Sequence, residues 1–181
     1  MRLDEGWLDC ARRVPSPNYD QRPEGELPSL LVIHNISLPP GQFGSGCVQE
    51  FFCNTLDWTA HPFFEEIRGV EVSAHFLIQR GGEIFQFVNT NERAWHAGVS
   101  SFEGRSRCND FSIGVELEGT DHTPYTEEQY SQLSLLTHCL IQAYPHICSH
   151  RIVGHSDIAP GRKTDPGPAF EWERYRNSLP N

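Results

Sequence analysis

Four consecutive apolar residues, Leu30, Leu31, Val32 and Ile33, interrupt an opening that is otherwise polar and rich in proline. A short run of this kind fits a strand buried on both faces, so residues 29–36 are expected to form a core strand with His34 near its carboxyl end. The next segment, residues 38–46, carries three glycines and two prolines and excludes a regular element. It reads either as an ordinary connection or as a gate, in which the glycines act as hinges and Leu38 or Phe43 closes over a ligand. Residues 74–78 and 83–88 flank Gly81-Gly82 and predict a hairpin with His75 on its first arm. Between 111 and 119 the pattern alternates, with Ile113, Val115 and Leu117 on one face and Ser112, Gly114, Glu116 and Glu118 on the other. This predicts a strand that presents carboxylates on its polar face, with Glu118 the more readily solvated of the two.

Thr126 followed by Gln129 has the spacing of a capping box, and Tyr130, Leu133, Leu136, Leu140 and Tyr144 recur near helical spacing until Pro145. A helix is therefore expected there. Residues 152–155 form a short strand candidate ending at His155, followed by a loop with Pro160, Gly161, Pro166, Gly167 and Pro168 and a final helix over 170–179. Strands and helices mixed in this way predict an α+β fold, one domain over residues 1–181, with a mixed central β-sheet flanked by helices. Polar residues gather at the strand ends, so the site is expected along one edge of the sheet.

Composition narrows the partners. The formal charge of -10, from 24 acidic and 14 basic residues, opposes non-specific binding to nucleic acid or to an anionic membrane, and leaves a small molecule as the expected ligand of a monomer. No stretch approaches the roughly 20 apolar residues of a membrane span. Asp4, Glu5 and Asp9 fall where an export signal needs an apolar run, so a cytoplasmic protein is expected. The six cysteines show no CxxC pair and read as free thiols, with Cys108 and Cys139 as packing residues.

A hydrolytic zinc takes three protein ligands and leaves a fourth position for water. His155 at a strand end, followed by a Pro/Gly turn able to fold Asp165 back towards it, offers two such ligands, and His34 at the end of a separate buried strand offers a third. Any single histidine is as well explained by packing or by exposure; the combination, with the chain's one lysine, Lys163, in the same loop, is what favours a metal.

The segments Val32-Ile33-His34-Asn35, Ser73-Ala74-His75-Phe76-Leu77-Ile78, Ala94-Trp95-His96-Ala97-Gly98, Gly154-His155 and Asp165-Pro166-Gly167-Pro168 occur in that order. Together they resemble the N-acetylmuramyl-L-alanine amidase family, and the likeness runs over nearly the whole chain. Arg12-Arg13-Val14-Pro15-Ser16-Pro17, residues 107–114 and residues 116–121 are similar to the cytosolic members that act on 1,6-anhydro-muramyl peptides. The resemblance implies a mixed sheet shared with phage lysozyme-type amidases and peptidoglycan-recognition proteins. It places His34, His155 and Asp165 as zinc ligands, Glu116 as catalytic carboxylate and Lys163 beside the metal, with Asp165 standing where many relatives have Cys. It further implies recycling of cell-wall fragments, with an effect on the signal for β-lactamase induction.

For the muramyl-peptide substrate, Trp95 offers an apolar face to a sugar ring or lactyl group, while Arg107 and Asn35 offer hydrogen bonds to carboxylate or acetamido groups. His75 is expected to face the cleft, and His96 to be a packed, satisfied imidazole. Glu71 stands where a cation would meet substrate carboxylates. Two other functions remain open: a binding module that does not cut, and a lytic amidase acting on intact wall, which would need an export route.

Overall fold

A computed structural model describes residues 1–179. Its centre is a six-stranded sheet made from Arg12–Arg13 (β1), Leu30–Ile36 (β2), Phe76–Ile78 (β3), Ile84–Gln86 (β4), Ser112–Glu118 (β5) and Ile152–Gly154 (β6), in the order β6-β2-β5-β3-β4-β1. The pairs β6/β2, β2/β5, β5/β3 and β4/β1 are parallel, and β3/β4 is the antiparallel hairpin foreseen around Gly81-Gly82. The mixed α+β sheet expected from the sequence is therefore present.

Successive residues of β2 point to opposite faces, and both faces are covered. Leu31 and Ile33 join Ile113, Val115 and Leu117 of β5 beneath Leu133, Leu136 and Leu140 of the helix Glu127–Ala143. Leu30 and Val32 pack on the other side with Phe111, Val153 and Ile158. Farther along that second face, the short helices Cys47–Phe52 (α1) and Pro62–Glu66 (α2) bury Val48, Phe51, Phe52 and Phe64 against Leu77, Phe85 and Phe87. The long helix, α3, opens as its sequence indicates: Thr126 Oγ1 accepts from Gln129 N and Gln129 Oε1 accepts from Thr126 N, both at 3.1 Å. It stops at Ala143, two residues before Pro145. Two further helices follow, His155–Ile158 (α4) and Trp172–Asn177 (α5); the last buries Tyr175 beside α3 and is shorter than residues 170–179 suggested.

Two expectations are corrected. His155 does not end a strand but begins α4, directly after β6. Glu118 is not solvated: it is buried, Oε1 accepts from Gly44 N at 2.6 Å, and Oε2 accepts from Arg80 N at 3.3 Å. At Glu118 the polar face of β5 lies under the loop of residues 38–46 rather than in water. That loop is held besides by the Ser45 hydroxyl donating to Leu38 O and by Arg80 lying over the Phe43 ring, while Leu38 itself packs against the core.

Candidate metal centre

Parallel register assembles the site. His34 of β2 lies beside Glu116 of β5, and Gly154 of β6 lies beside Ile33, so His155 emerges next to His34 at the carboxyl ends of three adjacent strands. After α4 the chain turns back: Lys163 N donates to Ala159 O, and Ser156 N donates to Asp165 O, each at 3.0 Å. Gly167 follows with φ of +79°, packed so tightly that a Cβ there would come within 2.2 Å of Asp121 Cα, which only glycine avoids. The Pro/Gly loop thus carries Asp165 to the two histidines.

His34 Nδ1 and His155 Nδ1 stand 2.9 Å apart, and each is 3.1 Å from Asp165 Oδ2. Ligands bonded tetrahedrally to zinc at about 2.0–2.1 Å stand roughly 3.3 Å from one another, so these three atoms fit such an ion with little adjustment. Their chemistry fits too. His155 Nε2 is 3.1 Å from the Ala97 carbonyl, which can only accept, so Nε2 carries the proton and Nδ1 turns a lone pair inward. Two imidazole nitrogens and a carboxylate oxygen thereby converge on a point that a cation satisfies. Burial pushes the His34 imidazole down to about 4, against the opposing bond to Asp165. Burial alone would raise the Asp165 carboxyl, but the adjoining His155 and His34 outweigh it and hold the group well below the usual carboxylate range.

The trio opens into a cleft of about 270 Å³ whose walls include Asn35, Phe51, Val70, Trp95, Glu116 and Lys163. Glu116 is only 8% exposed, and its Oε2 has no hydrogen-bond partner. Burial, reinforced by the charge of Asp165 and opposed by that of Lys163, raises its carboxyl well above the ordinary value. The walls given by Phe51, Val70 and Val72 come from a segment that the sequence reading assigned to no element. Its signals were the apolar spacing of Val48, Phe51 and Phe52 and the Pro62 that opens α2.

The expected substrate contacts divide. Trp95 and Asn35 line the cleft, but the Asn35 amide already donates to Asp121 Oδ1 at 2.8 Å and to Pro166 O at 3.1 Å. His75 does not face the cleft. It is wholly buried, its Nδ1 accepts from Gly114 N and its Nε2 donates to Glu92 O, each at 3.1 Å, so it ties β5 to its surroundings instead. Arg107 is exposed and paired with Asp110 at 3.3 Å, outside the cleft walls.

The profile described as N-acetylmuramoyl-L-alanine amidase matches residues 24–168. The chain is 61% identical over 176 residues to the 1,6-anhydro-N-acetylmuramyl-L-alanine amidase AmpD of Escherichia coli (strain K12), covering 97% of this chain and 96% of that protein. Among solved structures it is similar to the crystal structure of a selenomethionine AmpD derivative, with a TM-score of 0.97 and 59% identity over 99% of this chain and 100% of that one. It is also similar to the E. coli amidase AmiD in complex with the substrate anhydro-N-acetylmuramic acid-L-Ala-D-gamma-Glu-L-Lys. There the TM-score is 0.62 and the identity 29%, over 98% of this chain and 65% of that one.

Proposed function

The chain belongs to the N-acetylmuramoyl-L-alanine amidase family, and on that premise we propose that it cuts the amide between 1,6-anhydro-N-acetylmuramic acid and L-alanine in small muramyl peptides with the help of zinc. The observation that carries this reading is the approach of His34 Nδ1, His155 Nδ1 and Asp165 Oδ2 to within 2.9–3.1 Å of one another, beside the unpartnered Glu116 carboxylate. Those three residues would hold the ion. A zinc bound there supplies Lewis-acid polarisation of the amide carbonyl and lowers the pKa of water to about 7.

The protein's own groups do the rest. Glu116 takes a proton from the attacking water as its oxygen bonds to the carbonyl carbon, then returns it to the alanine nitrogen as the carbon–nitrogen bond breaks. A carboxyl held above its usual range is a stronger base and a usable acid at the second stage. Lys163 borders the same cleft and directs its ammonium towards the oxygen that gains negative charge; loss of such a donor costs on the order of 3 kcal/mol of transition-state stabilisation. Trp95 and Phe51 give the sugar and lactyl groups apolar walls. The products are a muramic acid with a free lactyl carboxylate and a peptide with a free amine.

Action in the cytoplasm on recycled fragments is part of this proposal, supported by the likeness to an anhydro-muramyl amidase. No helix among the described residues is long and apolar enough to cross a membrane. The test is to strip the protein with a chelator and follow anhydro-muramyl tripeptide by mass spectrometry, with intact sacculi in parallel. Cleavage of the tripeptide should stop, and return when zinc is added back. Full turnover by verified zinc-free protein would overturn the mechanism, and preferential release of peptide from sacculi would replace the small substrate with intact wall.

A further inference from the structure

His34 and His155 present Nδ1 to the candidate metal centre, so each must dispose of the hydrogen on Nε2 behind it. Both do so on consecutive residues of one segment. His34 Nε2 lies 2.9 Å from His96 Nδ1, and His155 Nε2 lies 3.1 Å from the carbonyl of Ala97. His96 can accept only if its own hydrogen sits on Nε2, and that nitrogen is 3.1 Å from Ser112 Oγ, which receives it. The chain of donors runs from His34 through His96 to Ser112.

The segment itself is fixed from outside. The side-chain oxygen of Asn109 accepts from His96 N at 3.1 Å and from Ala97 N at 2.8 Å, gathering two successive amides on one atom. The half-buried Arg22 guanidinium anchors the Asn109 end by donating to the carbonyls of Asn109 at 3.1 Å, Asp110 at 3.0 Å and Ser112 at 2.8 Å. Arg162 Nη2 donates to the Ala97 carbonyl at 2.6 Å from the other side. The His96 ring rests on Gly114 of β5, where any Cβ would approach its Cγ to 2.5 Å.

We infer that His96 and the Ala97 carbonyl, held together by Asn109, form a clip that positions both imidazole ligands of the metal, with His96 the positioning residue for His34. The inference rests on the proposed zinc reading of His34, His155 and Asp165. Ligating histidines are oriented by the acceptor of their second nitrogen, and loss of that acceptor typically weakens metal binding 10–100-fold. The sequence alone gave His96 no such role, because its partner lies 62 residues away and the pairing exists only once β2 and β5 are side by side.

The test compares zinc affinity, measured by competition with a chromophoric chelator, in the wild type, His96→Leu, His96→Asn, Asn109→Ala and His34→Ala. The visible spectrum of each cobalt-substituted protein and the melting of each metal-free protein are recorded alongside. His96→Leu should bind zinc about 10–100-fold more weakly and shift the cobalt bands. His96→Asn, whose Oδ1 occupies the place of Nδ1, should recover most of the affinity and the wild-type bands, which a packing defect would not allow. Asn109→Ala should weaken zinc by about tenfold and serves if His96→Leu fails to fold. Affinity within threefold of wild type in His96→Leu or, if that variant does not fold, in Asn109→Ala, with unchanged cobalt bands, overturns the clip while His34→Ala still abolishes binding. Retention of zinc by His34→Ala, or its absence from the wild type, overturns the metal reading and the clip with it.

Discussion

Glu116 is where the chemistry and the stability of the protein pull against each other. Its carboxyl is buried, has an oxygen without a partner, and lies near the charge of Asp165, so ionising it in the folded state is unfavourable. The sign follows from its raised folded-state value. The unfolded chain gives up this proton first as pH rises, so the metal-free protein loses stability from pH 4.5 upward until the folded carboxyl also ionises. Replacing Glu116 with Gln removes the charge and keeps the shape. We expect Glu116→Gln to lower kcat by about 10²–10⁴ while keeping zinc. The metal-free variant should be more stable at pH 7 by on the order of 1–3 kcal/mol in urea unfolding. That gain should shrink as the pH falls to 4.5. A variant that keeps most of its kcat removes Glu116 from the base role, and one that is less stable at pH 7 removes the unfavourable burial of its charge.

Among the elements, α3 was legible because its signals are local: the Thr126/Gln129 cap and the spacing of its leucines need no knowledge of the rest of the chain. The strand over β5 was legible in position but not in environment. Alternation suggested a sheet with one wet face, yet all seven residues of β5 are buried, because loops and the metal centre cover the polar side. The short helices α1 and α2 escaped notice for the opposite reason, since six and five residues make too little periodicity and their aromatic packing against β4 stabilises them. The His34, His155 and Asp165 grouping was suggested by strand-end positions and by family likeness, whereas the pairing of His96 with His34 depends on register. At the start of α3 the Gln129 side chain adds a tertiary duty that the capping pattern does not reveal, donating to Ile78 O at 3.2 Å and to Glu118 O at 2.9 Å. Thr126→Ala should therefore cost about 1 kcal/mol, the usual value of a cap. Gln129→Ala should cost more, on the order of 1–3 kcal/mol for each buried carbonyl it strands. Chemical denaturation of the two variants checks the order, and a larger loss in Thr126→Ala would mean that the cap, not the tie to β3 and β5, holds the helix in place.

In the whole molecule the candidate ligands come from parts of the chain that lie far apart in sequence. His34 lies 121 residues from His155 and 131 from Asp165, and the distances of 2.9–3.1 Å among their atoms exist only when β6 has docked on β2 and the loop after α4 has turned back. The unfolded chain cannot present that set of lone pairs, so an ion that binds it stabilises the folded state by mass action. At a free zinc concentration 100 times the dissociation constant the gain is about 2.7 kcal/mol. For a domain of this size each kcal/mol moves the melting temperature by roughly 2–4 °C, so calorimetry should show a rise of roughly 5–10 °C over the metal-free protein. The rise should continue with the logarithm of the zinc concentration rather than level off at one equivalent. Asp165→Ala should melt at a temperature that zinc barely changes, because two imidazoles alone leave the ion without its third ligand. An equal zinc-dependent rise in Asp165→Ala and in the wild type would place the ion elsewhere, since the same linkage would then be acting through residues outside the cleft.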